Sequence, residues 1–546
     1  MTGRKEKLVV GFLLLMLALQ VFSFIRVSSV TTDEGLEIPA GYTYWKKGNF
    51  GMNPTHPPLT AMINTLPLLI LDPVFPEDAD SYRRLNINDF RVDFLYRYND
   101  NTDEIVFWSR VPVLALSLVL GYFVYLWAKK LYGARAGIFA LFLYSFNPTI
   151  LAHSGLAITD FGVTFFVFLS VYCFWNFMQS KSTRDLVKTG ILTGCSMISK
   201  VSGAFLIPIY LIYYFALDRS RRLLRSILAI SGIAFIAMNA GYGFELQPLS
   251  AVILNPARYQ EVIGLLPDND AIRSFFVFVI EKVPIPLTNY LKGIYIQTGP
   301  DAFRGDFAYL LGEYRNFGGF RHYYLVGFLV KEPVALIVFL GIALFFYKRI
   351  PKDRQGEVFL VVPILFWFIF FSLNHLNAGL RHVMPAYPFL FVFISKIVNL
   401  DLGRRLNALL VILGVWYAAS TLSVAPHYLM YFNELAGGPD KGYKYFYGFE
   451  DVGQDMKGLG EYVVENNIRE IKLAKYGPWI PYEAQYRGIN YQRLGCNETT
   501  GIIAIGVDKL IFPKGEPPGC YDWIKRYEPI EKIGYSIYIY NITTAQ

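Results

Sequence analysis

The chain begins with a basic stretch, Arg4, Lys5 and Lys7. It then runs through LVVGFLLLMLALQVFSFIRVS (Leu8–Ser28) into Ser29-Val30-Thr31-Thr32-Asp33-Glu34. A helix needs about 20 mostly apolar residues to cross the hydrocarbon of a bilayer, and this run supplies them. It is longer than the apolar part of an ordinary secretory signal, and no small-x-small cleavage site follows before Asp33. The stretch therefore reads as a retained first membrane span that delivers two adjacent carboxylates at its exit.

The rest of the sequence agrees with a lipid solvent. Of 546 residues, 54% are hydrophobic and only 17% are charged, with 45 Phe and 39 Tyr and a mean hydropathy of +0.34. A soluble domain carries about 25% charged residues. Those values exclude a disordered chain, a collagen-like fibre and a small disulfide scaffold, and they argue against a single soluble enzyme domain. Further apolar stretches lie at 106–127, 136–152, 161–178, 188–199, 201–217, 226–243, 328–347, 357–373, 383–398 and 407–424. With the first span they predict about eleven transmembrane helices. Residues 188–217 are expected to be a bent pair meeting near Lys200.

The net charge of +8 is explained by where the cations fall. Lys129, Lys130 and Arg135 follow the second span, and Lys181, Arg184 and Lys188 the fourth. Arg219, Arg221, Arg222 and Arg225 follow the sixth, Lys348, Arg349, Lys352 and Arg354 the eighth, and Arg404 and Arg405 the tenth. Eleven spans put all of these clusters and the basic start on one side; ten would not. The positive-inside rule makes that side cytoplasmic. The charge is thus a topology signal, and no nucleic-acid partner is implied.

Residues 1–427 then form a membrane domain with large outer loops at 29–105 and 244–327. Residues 428–546 form a small extracytoplasmic α/β domain, with strand-like alternation at Ile471–Ala474, Gly501–Val507 and Tyr535–Tyr540. Two N-glycosylation sequons, Asn497-Glu-Thr and Asn541-Ile-Thr, fall in this tail, as do Cys496 and Cys520, which could pair in an oxidising exterior. Cys173 and Cys195 lie in spans and read as packing residues. The sequence holds no repeat of 20–50 residues, Walker P-loop, G-x-S-x-G or H-E-x-x-H, so nucleotide chemistry has no support.

The chemistry-bearing residues gather on the outer side. Asp33 and Glu34 read either as a solvated helix end or as a general base where a lipid and a water-soluble partner meet. His56-Pro57-Pro58-Leu59 forms a fixed extended turn. Its His is either structural or a contact for a phosphate or carboxylate, and the apolar stretch Thr60–Leu71 after it could lie flat in the interface. His153-Ser154 and Thr159-Asp160 open the fourth span, where Asp160 either orients a cation or caps the helix. Lys200 sits between two short apolar stretches and should face a cavity or an anion, because a lysine at membrane depth is costly. Lys331-Glu332-Pro333 and Arg381-His382 begin two later spans. An anionic lipid headgroup would be stabilised by Lys200, Arg381 and Lys331.

The same residues, in this order, resemble a known family. To them are added Ser199-Lys200, Leu311-Gly312-Glu313, Arg381-His382 with Pro385 and Pro388, Tyr431-Phe432-Asn433-Glu434-Leu435-Ala436-Gly437-Gly438-Pro439, and Asp451-Val452-Gly453-Gln454-Asp455. The pattern is similar to the phospholipid-carrier-dependent glycosyltransferases of the GT-C fold, relatives of the protein O-mannosyltransferases and aminoarabinose transferases, over about residues 30–460. The resemblance implies a polyprenyl- or dolichyl-phosphate sugar donor and a hydroxyl acceptor on a protein, lipid or glycan. It implies Asp33 as base, Glu34 as its aid and Asp160 as the second catalytic acid. Substrate contacts would come from His56, His153, Lys200, Glu313, Lys331, Arg381 and His382. The sequence departs from the family at Val452, where an aromatic residue is usual, and residues 461–546 match no known pattern.

The implied reaction is a single displacement with inversion, since base and leaving phosphate lie on opposite faces of the anomeric carbon. It requires no cofactor and no metal, although Asp33, Glu34, Asp160 and His56 could bind a divalent cation. Two other functions compete. A lipid or sugar transporter or flippase would place ionisable groups near the midplane and often show repeated halves. An oligosaccharyltransferase of the same fold would carry a Trp-Trp-Asp signature, whereas Trp479 and Trp523 are isolated here.

Overall fold

A computed structural model describes residues 3–252, 259, 263–264, 269–298, 308–315, 318–350, 353–374, 376–400, 403–511 and 515–544. The protein is mostly helical, and helices fall on all eleven apolar stretches. Six are long and apolar enough to cross a membrane: Gly3–Val27, Thr102–Tyr132, Thr159–Ser180, Arg221–Gly241, Arg354–Leu373 and Gly403–Leu422. Tyr323–Lys331 and Val334–Phe345 make a seventh if the bent pair is one span. Ala134–Ser145, Val201–Leu217 and Met384–Asn399 are shorter apolar helices, and the stretch at 188–199 lies in the 15-residue helix Thr183–Met197. The chain is a multi-pass membrane protein in which several segments are too short to span alone.

Each shortening has a local cause. Pro148 has no N–H and restricts the residue before it, so the third apolar stretch stops at Ser145. A separate short helix, Pro148–His153, then starts with the Asn147 side chain accepting from the Ile150 N–H at 3.0 Å. Lys200 has an extended backbone between Thr183–Met197 and the turn Val201–Phe205, which is the expected break in 188–217. The polar faces around it are paired inside the bundle: Ser170 Oγ lies 2.9 Å from Thr193 Oγ1 and 2.7 Å from Tyr210 Oη. Small residues let helices approach closely in a membrane. A Cβ on Gly190 or Gly194 would meet Ile233 or Ala237 at 2.7 Å, so Thr183–Met197 and Arg221–Gly241 pack tightly.

The sharpest break is the 113° bend at Glu332-Pro333. It strips helix carbonyls of their partners in a place where water is scarce. Asn433, fully buried, repairs the damage. Its Nδ2 donates to Leu329 O at 2.6 Å and Glu332 O at 2.8 Å, and its backbone N–H donates to Val330 O at 2.9 Å. The Tyr431–Pro439 motif is thus the clamp for a broken helix.

The basic loops meet at one end of the bundle. There Lys396 pairs with Glu357 at 2.7 Å, Asn399 Nδ2 donates to Tyr132 O at 2.8 Å, and Lys129 pairs with Glu6 at 2.7 Å. Asp33, Asp160, Lys200 and Arg381 cluster at the other end. Over that end lie the helices Glu34–Lys47 and Pro58–Thr65, a three-stranded sheet and the C-terminal unit. The three-stranded sheet joins Ala308–Leu310 to Glu313–Arg315 and to Phe446–Tyr447, both antiparallel.

The C-terminal unit is a five-stranded mixed sheet ordered Tyr491–Arg493, Ile471–Ala474, Gly501–Gly506, Ile537–Ile542, Glu531–Ile533. The first three strands are parallel and the last two antiparallel to their neighbours, with Leu473 opposite Ala504 and Ala504 opposite Ile539. Helices Met456–Glu465 and Ile480–Tyr486 pack on it through Leu459, Val463, Ile480 and Ala484. Cys496 and Cys520 form a disulfide. Both sequon asparagines, Asn497 and Asn541, are exposed.

Replacing Asn433 by Leu should leave the carbonyls at the bend unpaired. The expected loss is about 1–3 kcal/mol of stability, read as an earlier unfolding transition of the protein in detergent. A surface change such as Glu465→Gln should not move that transition.

Candidate active site

The first helix ends at Val27, and its last carbonyls need donors. Arg110, on the next membrane helix, provides them: Nη1 donates to Ile25 O at 3.2 Å and Ser28 O at 2.8 Å, and Nη2 to Ser29 O at 2.6 Å. The same guanidinium grips Glu34 through both carboxylate oxygens, at 2.8 and 2.7 Å. Glu34 also accepts from the backbone N–H groups of Thr31 (3.0 Å) and Ala157 (2.8 Å) and from Thr31 Oγ1 at 2.9 Å. It is fully buried, so every lone pair it offers is spent inside the protein. Glu34, expected to assist Asp33 through acceptor binding or hydrogen bonding, faces inward and anchors the turn.

Asp33, on the opposite side of that turn, has its side chain 30% exposed. It pairs with Arg381. Arg381 lies 3.9 Å from Asp160, and Asp160 pairs with Lys200 at 2.5 Å, so two carboxylates and two cations alternate in one chain. Asp160 makes no cap hydrogen bond with its helix; its carboxylate serves Lys200. Phe449 lies beneath Arg381, with the guanidinium carbon 3.8 Å from the ring centre, a stacking that a planar guanidinium favours.

The His56 motif is tied to Lys200 through the backbone. Pro58 starts a helix whose first N–H, that of Leu59, donates to Ile198 O at 2.9 Å. His56 Nε2 then lies 3.7 Å from Glu37, a buried carboxylate one turn beyond Asp33. Burial, followed by the nearby Asp33 and Asp160, raises the Glu37 carboxyl well above its usual range. Burial and then Lys200 lower His56 to about 4. Burial lowers His382 well below the usual imidazole value, with Lys200 and Arg381 adding to the effect. The two imidazoles are therefore neutral near pH 7.

A pocket lined by His153, Lys331, Arg381, Phe449, Glu450 and Tyr428 adjoins this chain of charges. His153 Nδ1 shares a hydrogen bond with Thr149 O at 2.8 Å, which makes Nδ1 the protonated nitrogen; Nε2 is buried without a partner. Lys331 is held at 2.7 Å by Leu429 O and 3.2 Å by Glu450, over the Phe432 ring. Glu313 stands apart: it is exposed on the three-stranded sheet and pairs only with Arg315, at 2.8 Å, among the described residues. No group of three or more His, Cys, Asp or Glu side chains converges as a metal site among the described residues. In particular, Glu34 cannot join Asp33 and Asp160 in one.

The Asp451–Asp455 motif closes the site from the C-terminal side. Val452 O accepts from the Thr32 N–H at 3.0 Å and from its hydroxyl at 3.2 Å, and Gln454 O accepts from the Ser29 N–H at 2.8 Å. Gly453 has φ +96°, and a Cβ there would meet Trp479 at 2.9 Å. Buried Asp451 pairs with Lys475, which lies 3.6 Å from Asp508. Arg110, Glu37, Phe449 and Glu450 belong to the arrangement without having been expected. Glu37 had a sequence signal, one helical turn from Glu34. Arg110 had another, a buried charge at the start of a span.

The sequence model of the family described as dolichyl-phosphate-mannose-protein mannosyltransferase matches residues 104–240. That stretch carries Arg110, His153, Asp160 and Lys200. The match and the motifs agree: the chain resembles phospholipid-carrier-dependent glycosyltransferases of the GT-C fold. No curated protein matches it. Among solved structures it is similar to ArnT from Cupriavidus metallidurans bound to undecaprenyl phosphate, with 13% identity and a TM-score of 0.49 over 97% of both chains. It is similar to the oligosaccharyltransferase AglB from Archaeoglobus fulgidus in complex with an inhibitory peptide and a dolichol-phosphate, at 13% identity and TM-score 0.43 over 92% of this chain and 70% of that one. It is also similar to the S. cerevisiae protein O-mannosyltransferase Pmt1-Pmt2 complex bound to the sugar donor, at 19% identity and TM-score 0.34 over 45% of this chain and 34% of that one.

Arg110→Met strands the Glu34 carboxylate in the interior. The expected cost is about 3–5 kcal/mol, seen as a lower melting midpoint. Glu34→Gln in the same chain should recover part of it, because the unpaired charge is then gone.

Proposed function

We propose that the protein is an inverting glycosyltransferase that moves one sugar from a polyprenyl- or dolichyl-phosphate carrier to a hydroxyl acceptor at the outer membrane surface. The observation that carries the reading is the alternating chain Asp33–Arg381–Asp160–Lys200 at the end of the bundle opposite the basic loops. Such a chain offers both things the reaction needs: a carboxylate to take a proton and cations to receive a departing phosphate.

The carrier's lipid keeps its phosphate at the membrane rim. Lys200 and Arg381 hold that phosphate, and their charge lowers the energy of the leaving group as it takes the bonding electrons. The acceptor hydroxyl approaches from the other face of the sugar. Asp33 removes its proton, the oxygen bonds to the anomeric carbon, and the bond to the phosphate oxygen breaks in the same displacement. Asp160 keeps Lys200 and Arg381 in register. Glu34 positions Asp33 through Arg110 and does not itself meet substrate. The neutral imidazoles of His56, His153 and His382 supply hydrogen bonds to sugar hydroxyls without competing for the phosphate. Lys331 adds positive charge at the wall of the pocket. Glu313 has no part in the displacement and is assigned to the entrance, on the sheet that leads to Phe449. The reaction needs no cofactor, since the charge of a divalent cation is already provided by Lys200 and Arg381.

The outward orientation draws on the basic clusters at the far end, the positive-inside rule and the exposed sequons on the C-terminal unit. Sugar identity is not read from these residues; a hexose, mannose by analogy, is the natural first substrate to try.

Asp33→Asn should reduce transfer by about 10²–10⁴-fold while the protein still binds undecaprenyl phosphate; unchanged turnover removes Asp33 as base. Mass spectrometry of membrane lipids and surface glycans from cells lacking the protein should find accumulated lipid-phosphate sugar and a glycan or protein one sugar short.

A further inference from the structure

Arg91 is a buried cation with no acceptor. It lies on the outer helix Ile87–Val92, is 3% exposed and stacks over Trp479 with its guanidinium carbon 5.3 Å from the ring centroid. Among the described residues no side chain or carbonyl accepts a hydrogen bond from it, and its Nε is sealed from solvent. Trp479 is also 3% exposed, and its Nε1–H is buried and unpartnered. Native proteins pair nearly all such groups. The other buried arginine among the described residues obeys that rule, Arg110 being bound by Glu34 and three carbonyls, and even the half-buried Arg487 is bound by Glu483 and Asp103.

The pair borders the proposed base. A Cβ on Gly35 would lie 3.4 Å from Arg91 Cδ and 4.0 Å from Nη1, so the guanidinium packs under the first turn of the helix that Asp33 begins. Trp479 packs against Gly453, where a Cβ would also approach Val30 O at 3.6 Å. Arg91 is therefore a second cation beside Asp33. Arg381 is already engaged with Asp33 and Asp160; Arg91 is not engaged by any carboxylate.

We propose that Arg91 and Trp479 form an oxyanion subsite that takes a carboxylate or phosphate group of the acceptor and so sets its hydroxyl against Asp33. The guanidinium fork and the indole N–H are donors without acceptors, and an oxyanion supplies several lone pairs to both. The indole face keeps the guanidinium in place when the site is empty. That the ligand is the acceptor rests on the transferase reading; that it is an oxyanion rests on the two donors. The transferase thus selects acceptors that carry a negative group near the reacting hydroxyl.

The test uses the full chain in phosphatidylcholine nanodiscs, with inorganic phosphate as the probe at constant ionic strength. Undecaprenyl phosphate is first added to saturation, which fills any donor site. Phosphate should still bind, and Arg91→Met should weaken that binding by about tenfold or more. Trp479→Phe, which deletes only the N–H, should weaken it less. If Arg91→Met melts early, Arg91→Lys replaces it: the charge stays, the fork is lost, and binding should still weaken. Phosphate binding that the lipid abolishes assigns the anion to the carrier and overturns the proposal. So does the absence of any binding, or binding equal to wild type in a natively melting Arg91 variant. Asp33→Asn should keep the phosphate site, so an error about the base appears only in turnover and an error about the subsite only in binding.

Discussion

Arg110 donates two hydrogen bonds to Glu34 in the buried interior, and the geometry around Asp33 follows from that pair. A carboxylate and a guanidinium withdrawn from solvent are tolerable only when each remaining polar site is also satisfied. Here they are: the arginine closes the carbonyl end of the first membrane helix, and the carboxylate closes the amide end of the next turn and the Ala157 N–H. Three segments are thereby fixed at one point. Because adjacent residues on a tight turn face different ways, fixing Glu34 inward turns Asp33 outward. The preorganisation that the proposed base needs comes from its neighbour.

The remaining charges share the same logic. Lys200 stands where two short helices meet, and Arg381 where a helix begins, so each cation is delivered by a break in the membrane bundle. The breaks leave backbone groups to be satisfied, and the motifs supply the partners. Asn433 serves the bend at Pro333, the Leu59 N–H meets Ile198 O, and Val452 O receives Thr32. The C-terminal unit contributes by packing the Asp451–Asp455 loop against the turn that carries Asp33. It therefore belongs to the machinery that holds Asp33.

Much of this was legible in the sequence because membrane insertion leaves a strong compositional trace. The apolar stretches became helices, the basic loops gathered at one end, and the acid-bearing loops gathered at the other. Strands at 471–474 and 501–506 matched their alternation, while the last began two residues late, at Ile537. Helix length was harder to read. Pro148 and Pro333 interrupt apolar runs that hydropathy alone treats as continuous. Side-chain direction was not legible at all: Asp33 and Glu34 are adjacent and chemically alike, and only Arg110, far along the chain, decides which one turns inward. Glu313 likewise sits in a motif with Lys331, yet the fold leaves it on an exposed sheet. The pairing of Arg91 with Trp479 joins an outer loop to the tail, a long-range contact with no periodic signal.

The proposed displacement has a stereochemical signature, because it sets base and leaving phosphate on opposite faces of the sugar. The direct measurement is the anomeric configuration of the first-formed product, compared by NMR with that of a polyprenyl-phosphate donor of known configuration. The account predicts inversion. Retention would require a glycosyl-enzyme or another two-step route, and would contradict the role given to Asp33.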